Sequence, residues 1–146
     1  MRVRLPVMIC LSALALTASC RRPASFEQFI RADETVSGSY VFTLFLDDSL
    51  ASYDLSIYTK VDPPLMAADR PEVSLGLVVE WAEKNGFTAL REKVYLPCGG
   101  AAGSNQPYRS GVRPSHPGEW TVSITPENPP AGLRGIGMIC KRNGTR

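Results

Sequence analysis

The chain has 146 residues, with 16 Lys and Arg against 14 Asp and Glu, a formal charge of +2, four Cys and a single His. That length holds one domain with a real core and not two. The near-neutral charge excludes the basic footprint of a nucleic-acid binder, so no nucleic-acid partner is expected.

The N-terminus has the three-part order of a secretory signal: Arg2 and Arg4, an apolar run over residues 5–16 broken by Pro6 and Ser12, then the small residues Thr17, Ala18 and Ser19. About a dozen apolar residues are too few to cross a hydrocarbon core, which takes roughly twenty. The segment Leu16-Thr17-Ala18-Ser19-Cys20 resembles the lipobox of bacterial lipoproteins, whose cysteine thiol is alkylated with diacylglycerol before cleavage just ahead of it. Thr17 stands where Leu or Val is commoner, and Cys10 is the poorer candidate because Ile9 is bulky for the residue before a cut. Residues 1–19 are therefore expected to be a removed signal peptide. Cys20 would carry the acyl lipid, with no other cofactor; the alternative is a plain secreted chain with an incidental cysteine. Two or three acyl chains, at about 0.8 kcal/mol per buried methylene, make membrane attachment effectively permanent. Losing residues 1–19 removes Arg2 and Arg4 and no acid, so the charge falls from +2 to zero. Arg21 and Arg22 read as local contacts with headgroups.

Residues 20–35 are expected to be the lipidated cysteine and a polar tether, with a helical turn begun by Ser25 ahead of Phe26, Phe29 and Ile30. From residue 36 to 146 the period is two. Tyr40, Phe42, Leu44 and Leu46 alternate with Val41, Thr43 and Phe45, and Asp47-Asp48-Ser49 supplies a turn. Tyr53, Leu55, Ile57, Thr59 and Val61 form an inner face, with Asp54, Ser56, Tyr58 and Lys60 outside. Asp62-Pro63-Pro64 opens a loop over residues 62–72, and Val73, Leu75, Leu77, Val79 and Trp81 share the next inner face. Asn85-Gly86 predicts a type I′ hairpin, followed by short strands over residues 87–90 and 93–96. Residues 97–118 are so rich in Gly, Pro and Ser that no regular element is expected there. Trp120, Val122 and Ile124 alternate, residues 126–132 form a loop, and residues 135–140 read as the last strand. The fold class is all-β: an antiparallel β-sandwich of about seven strands, jelly-roll or immunoglobulin-like.

The lipobox cysteine, residues 42–46 leading to Asp47 and Tyr53-Asp54-Leu55, the apolar residues 75–79, Gly118-Glu119-Trp120, and Leu133-Arg134-Gly135-Ile136-Gly137-Met138-Ile139 together resemble the gliding-motility lipoprotein H family of Bacteroidetes. The chain departs from it at Lys60-Val61-Asp62, where that family commonly has an Arg-Asn pair, and in its cysteine pair and Gly-rich loop. The resemblance implies an envelope lipoprotein connected with surface motility or secretion machinery and brings no catalytic residues. It also implies a domain facing the periplasm from the outer membrane, because Bacteroidetes lipoproteins bound for the cell surface usually carry an acidic run after the lipidated cysteine and Cys20 is followed by Arg-Arg-Pro-Ala-Ser.

Cys98 and Cys140 leave two readings open. A disulfide in an oxidising compartment would close a loop of about 40 residues, worth on the order of 3–4 kcal/mol; the other reading is two separate buried thiols. Two cysteines and one distant His fall short of a zinc ligand set, and no metal is expected. His116, between Ser115 and Pro117, reads as a solvated loop residue. Gly99 to Ser104 lacks the lysine and following helix of a phosphate loop. Asp47, Asp48 and Asp54 fit no calcium loop and read as turn chemistry. No catalytic residue is expected, and the function expected is that of a non-enzymatic, membrane-tethered domain that docks an envelope protein through residues 97–118. The alternative is glycan binding. Trp81 and Trp120 belong to inner faces, so Tyr58 and Tyr108 are the candidate contacts, and they would have to share one exposed surface.

Overall fold

Alternation over residues 40–61 and 120–124 gives strands because successive side chains of an extended chain point to opposite faces. The computed structural model describes residues 25–62, 73–98 and 105–144; the signal, Cys20 and residues 99–104 lie outside these. Eight strands follow in order: β1 (Ser25–Arg31), β2 (Tyr40–Leu46), β3 (Ser52–Val61), β4 (Val73–Glu83), β5 (Thr88–Cys98), β6 (Gln106–Val112), β7 (Gly118–Glu127) and β8 (Leu133–Asn143). All pairings are antiparallel, in two four-stranded sheets ordered β1-β8-β3-β6 and β2-β7-β4-β5. This is the order of a jelly roll, and it differs from that of the immunoglobulin sandwich.

The core is the facing pair of inner surfaces. Phe42, Leu44 and Leu46 of β2, Leu55 and Ile57 of β3, Leu77 and Val79 of β4, Val122 and Ile124 of β7, and Ile136 and Met138 of β8 are almost completely buried. Trp81 and Trp120 are buried among them and meet edge to face, with ring centroids 6.3 Å apart and planes at 67°. The inner and outer faces of β3 follow the expected alternation, including the buried Thr59.

Four local expectations are corrected. Residues 25–31 are not tether but the edge strand β1, which pairs with β8 from Ser25–Lys141 to Arg31–Gly135; Phe26 and Ile30 pack on the core. The helical turn expected at Phe26, Phe29 and Ile30 is strand, and a three-residue 3-10 turn follows it at Ala32–Glu34. Residues 97–118 are not one loop, since β6 runs through them as an edge strand beside β3. Pro107 is tolerated there because an edge strand leaves half its backbone donors unpaired. Residues 88–98 form one strand, and its polar middle, Arg91-Glu92-Lys93, reflects an edge position rather than a break.

The fourth concerns turns. At Asn85-Gly86 only Gly86 has positive φ, +84°, so the turn is not type I′. Gly86 N–H donates to the Glu83 carbonyl and Phe87 N–H to the Asn85 side chain, a turn closed by glycine in the left-handed region. The two consecutive positive φ values of a I′ turn occur instead at Ser37 (+57°) and Gly38 (+75°), between the bridged Val36 and Ser39.

Truncating a fully buried side chain in this core is expected to cost about 2–5 kcal/mol. Leu77→Ala should lower the chemical denaturation midpoint accordingly, whereas Leu50→Ala, on an exposed turn, should change stability by less than about 0.5 kcal/mol.

Candidate functional site

The outer face of the first sheet is distinguished by two glycines. Gly135 and Gly137 both point outward from β8, two residues apart, so the centre of the sheet carries a track without side chains. A Cβ at Gly137 would run into the Tyr58 ring, and one at Gly135 into the Phe29 ring and the Ile30 carbonyl. Aromatic rings from the strands on either side fill that space. Phe29 of β1 and Tyr58 of β3 lie over the track as near-parallel neighbours, centroids 5.9 Å apart and planes 14° apart. Both remain half-buried, with one side open to solvent.

Polar groups surround the pair. The Tyr58 hydroxyl donates to Glu27 at 3.0 Å, and burial, followed by that carboxylate, raises its pKa above the ordinary tyrosine value. The Lys60 ammonium stands 4.7 Å from the Phe29 centroid, a cation–π contact. Beside them is a shallow depression of about 410 Å³, lined by Phe29, Arg31, Asp33, Lys60, Leu133 and Arg134. Arg31 pairs with Asp33 at 2.9 Å, and Arg134 with Asp62 at 2.5 Å. An aromatic surface bordered by Lys60 and by the Arg31–Asp33 and Arg134–Asp62 pairs can stack on a flat apolar ring face and hydrogen-bond its polar substituents.

Tyr108 is not on this surface. It lies on β6, packs against the core, and joins the two sheets at their β5/β6 edge. Trp81 Nε1 donates to the Tyr108 oxygen at 3.0 Å, and the Tyr108 hydroxyl donates to Glu92 at 2.5 Å. Arg109 closes the chain with a two-pronged contact to Glu92, at 3.0 and 2.8 Å. Burial, then Glu92, pushes the Tyr108 hydroxyl up to about 12, while Arg109 and Tyr108 hold the Glu92 carboxyl below its usual range. Tyr58 and Tyr108 therefore do not share an exposed face.

Cys98 and Cys140 are separate buried thiols, not a disulfide. Cys98 accepts a hydrogen bond from Thr59, whereas Cys140 sits opposite Leu55 on the same strand. Four residues of β3, about 13 Å, separate those positions, far beyond the Cβ spacing of about 4 Å that a disulfide needs. Burial, then Asp54, raises the Cys140 thiol to about 11.

His116 lies at one end of the sandwich. Ser115 Oγ approaches its Nδ1 at 3.2 Å and Glu83 approaches the same nitrogen at 3.7 Å. A serine–histidine–acid relay needs the two partners on opposite ring nitrogens. Asp48 accepts the Leu50 and Ala51 amides and pairs with Arg142; Asp54 accepts from Gly111 N–H and Asn143. Those backbone and side-chain donors hold both carboxyls below their ordinary range. Among the described residues no group of three or more His, Cys, Asp or Glu is placed to hold a metal ion.

An eight-stranded jelly roll with an aromatic pair on one outer face is thus what the fold and surface define. No family model matches the chain, and no curated protein matches it. A crystal structure from Sulfurospirillum deleyianum is similar to it at 10% identity and a TM-score of 0.47, over 83% of this chain and 98% of that one. Likeness at that level defines neither a family nor a function.

Two outcomes follow. Gly137→Ala should lower stability by about 1–3 kcal/mol through overpacking, and most of the loss should vanish in the Gly137→Ala/Tyr58→Ala pair, read by denaturant unfolding. Thermal midpoints with and without dithiothreitol should coincide, because no disulfide contributes; a drop on reduction would show a Cys98–Cys140 bond.

Proposed function

We propose that this chain is a non-catalytic envelope lipoprotein, without a resident cofactor, held through lipid on Cys20 at the outer membrane with its domain in the periplasm. A rigid jelly roll would there engage another envelope protein. The observation that carries this reading is the lipobox-like Leu16–Cys20 segment placed only a few residues ahead of β1. A lipid at Cys20 would then tether a folded sheet edge with almost no slack. The resemblance to the gliding-motility lipoprotein H family makes components of surface-motility or secretion machinery the first partners to test. Within the described residues, the surface best suited to docking is the Phe29–Tyr58 face rather than residues 97–118, through which the edge strand β6 runs.

The Phe29–Tyr58 pair also favours a second reading, a glycan-binding lipoprotein. Stacked aromatics beside Lys60 and Arg31 would suit a sugar that carries an acidic group.

In-cell cross-linking from a photoreactive residue at position 58, followed by mass spectrometry, separates the two. A reproducible envelope protein that disappears with Cys20→Ala supports anchored docking. If no protein is captured while the chain retains acidic envelope polysaccharide in a Tyr58-dependent manner, the docking idea is sunk and the glycan reading stands.

A further inference from the structure

The strand directions divide the connections between two ends of the sandwich. Residues 47–51, 84–87 and 113–117 lie at the end where β1 begins and β8 finishes; residues 32–39 and 128–132 lie at the other. Large exposed apolar side chains occur toward both ends. Leu50 (76% exposed), Phe87 (65%) and Phe45 (54%) belong to the Ser25 end, with Leu90 close by on β5, and Val36, Tyr95 and Val41 lie toward the other. Exposed apolar residues are ordinary on a protein surface, so their number does not choose between the ends; the position of the tether does.

Chain length says what covers that end. From Cys20 to Ser25 the chain can reach at most roughly 18 Å. The ten residues of β3 make the sandwich about 33 Å tall. With Cys20 held in a bilayer, Ser25 stays within that reach of it, so the sandwich cannot stand on its far end. Lys84, Arg113 and Lys141 are exposed at the same end, within reach of lipid phosphates. Asp48 and Asp54 are engaged by Arg142, Asn143 and the Gly111 amide. Glu83 and Glu119 border the surface, so the contact is apolar first and electrostatic second.

We propose that this end of the jelly roll, through Leu50, Phe87 and Phe45, seats in the headgroup region of the membrane that holds Cys20 and sets the domain upright on it. The inference rests on lipid attachment at Cys20. Side chains at the headgroup–acyl boundary lie about 5–10 Å deep, within range of quenchers on the acyl chains.

The full chain is expressed with Leu50→Trp, Phe87→Trp or Val36→Trp, and its membrane-extracted mature form is reconstituted into phosphatidylethanolamine–phosphatidylglycerol vesicles with or without brominated acyl chains. After subtraction of the unsubstituted protein, whose Trp81 and Trp120 are buried, quenching in L50W and F87W should exceed that in V36W by about twofold or more. Equal quenching, or more in V36W, overturns the inference. The mass of the N-terminal peptide and flotation with vesicles read the anchor separately. A lipidated, floating chain with equal quenching sinks the seating alone; an unmodified Cys20 with no flotation sinks the anchor and the seating together.

Discussion

Each strand of this sandwich is hydrogen-bonded to its counterpart from the other end of the chain: β4 with β5, β3 with β6, β2 with β7 and β1 with β8. That nested ladder is one long ribbon, and two cross-ladders, β3 with β8 and β4 with β7, roll it into facing sheets. Everything else depends on this rolling. It puts the continuous apolar faces of β2, β4 and β7 against those of β3 and β8, which is where the core forms. It also makes β3, β4, β7 and β8 central, with both backbone edges satisfied, and leaves β1, β6, β2 and β5 as edges.

The edges are managed differently. At the β5/β6 side, Trp81, Tyr108, Glu92 and Arg109 form a hydrogen-bonded chain that joins one sheet to the other. On the outer face of the second sheet, Tyr95 and the Lys93–Glu127 pair cover Gly76, much as Phe29 and Tyr58 cover Gly135 and Gly137 on the first. In both sheets a central strand gives up side chains on its solvent face, and rings from its neighbours reclaim the buried area.

How much of this was legible in the sequence follows from burial. β2, β3, β4 and β7 have one fully buried face, so their alternation is uninterrupted and can be read directly. β1 and β6 are edges with little buried area, and Pro107 and Gly111 in β6 look like loop residues because only one backbone edge there has to pair. The outward position of Tyr58 was legible from period two. Its partner Phe29 was not, because the two meet through β8, a strand distant in sequence from both. Glycines at positions 135 and 137 were the available signal, since Gly-x-Gly at strand spacing marks a face stripped of side chains. Tyr108 and its link to Glu92 have no local signature: an ionic and hydrogen-bonded bridge between edges of different sheets is a product of the rolling, not of any single segment.

The last strand in the chain is also one of the most central. β8 supplies the only described neighbour of β1 and one of the two neighbours of β3, and its register sets residue 25 against residue 141. Until β8 is in place, the first sheet has no middle, and Ile136 and Met138 are missing from the core. Contacts of such long range form slowly because the loop they close must first be ordered. A domain with this wiring cannot complete its core until β8 has joined β1 and β3. Delay of that kind is a property of the strand order itself.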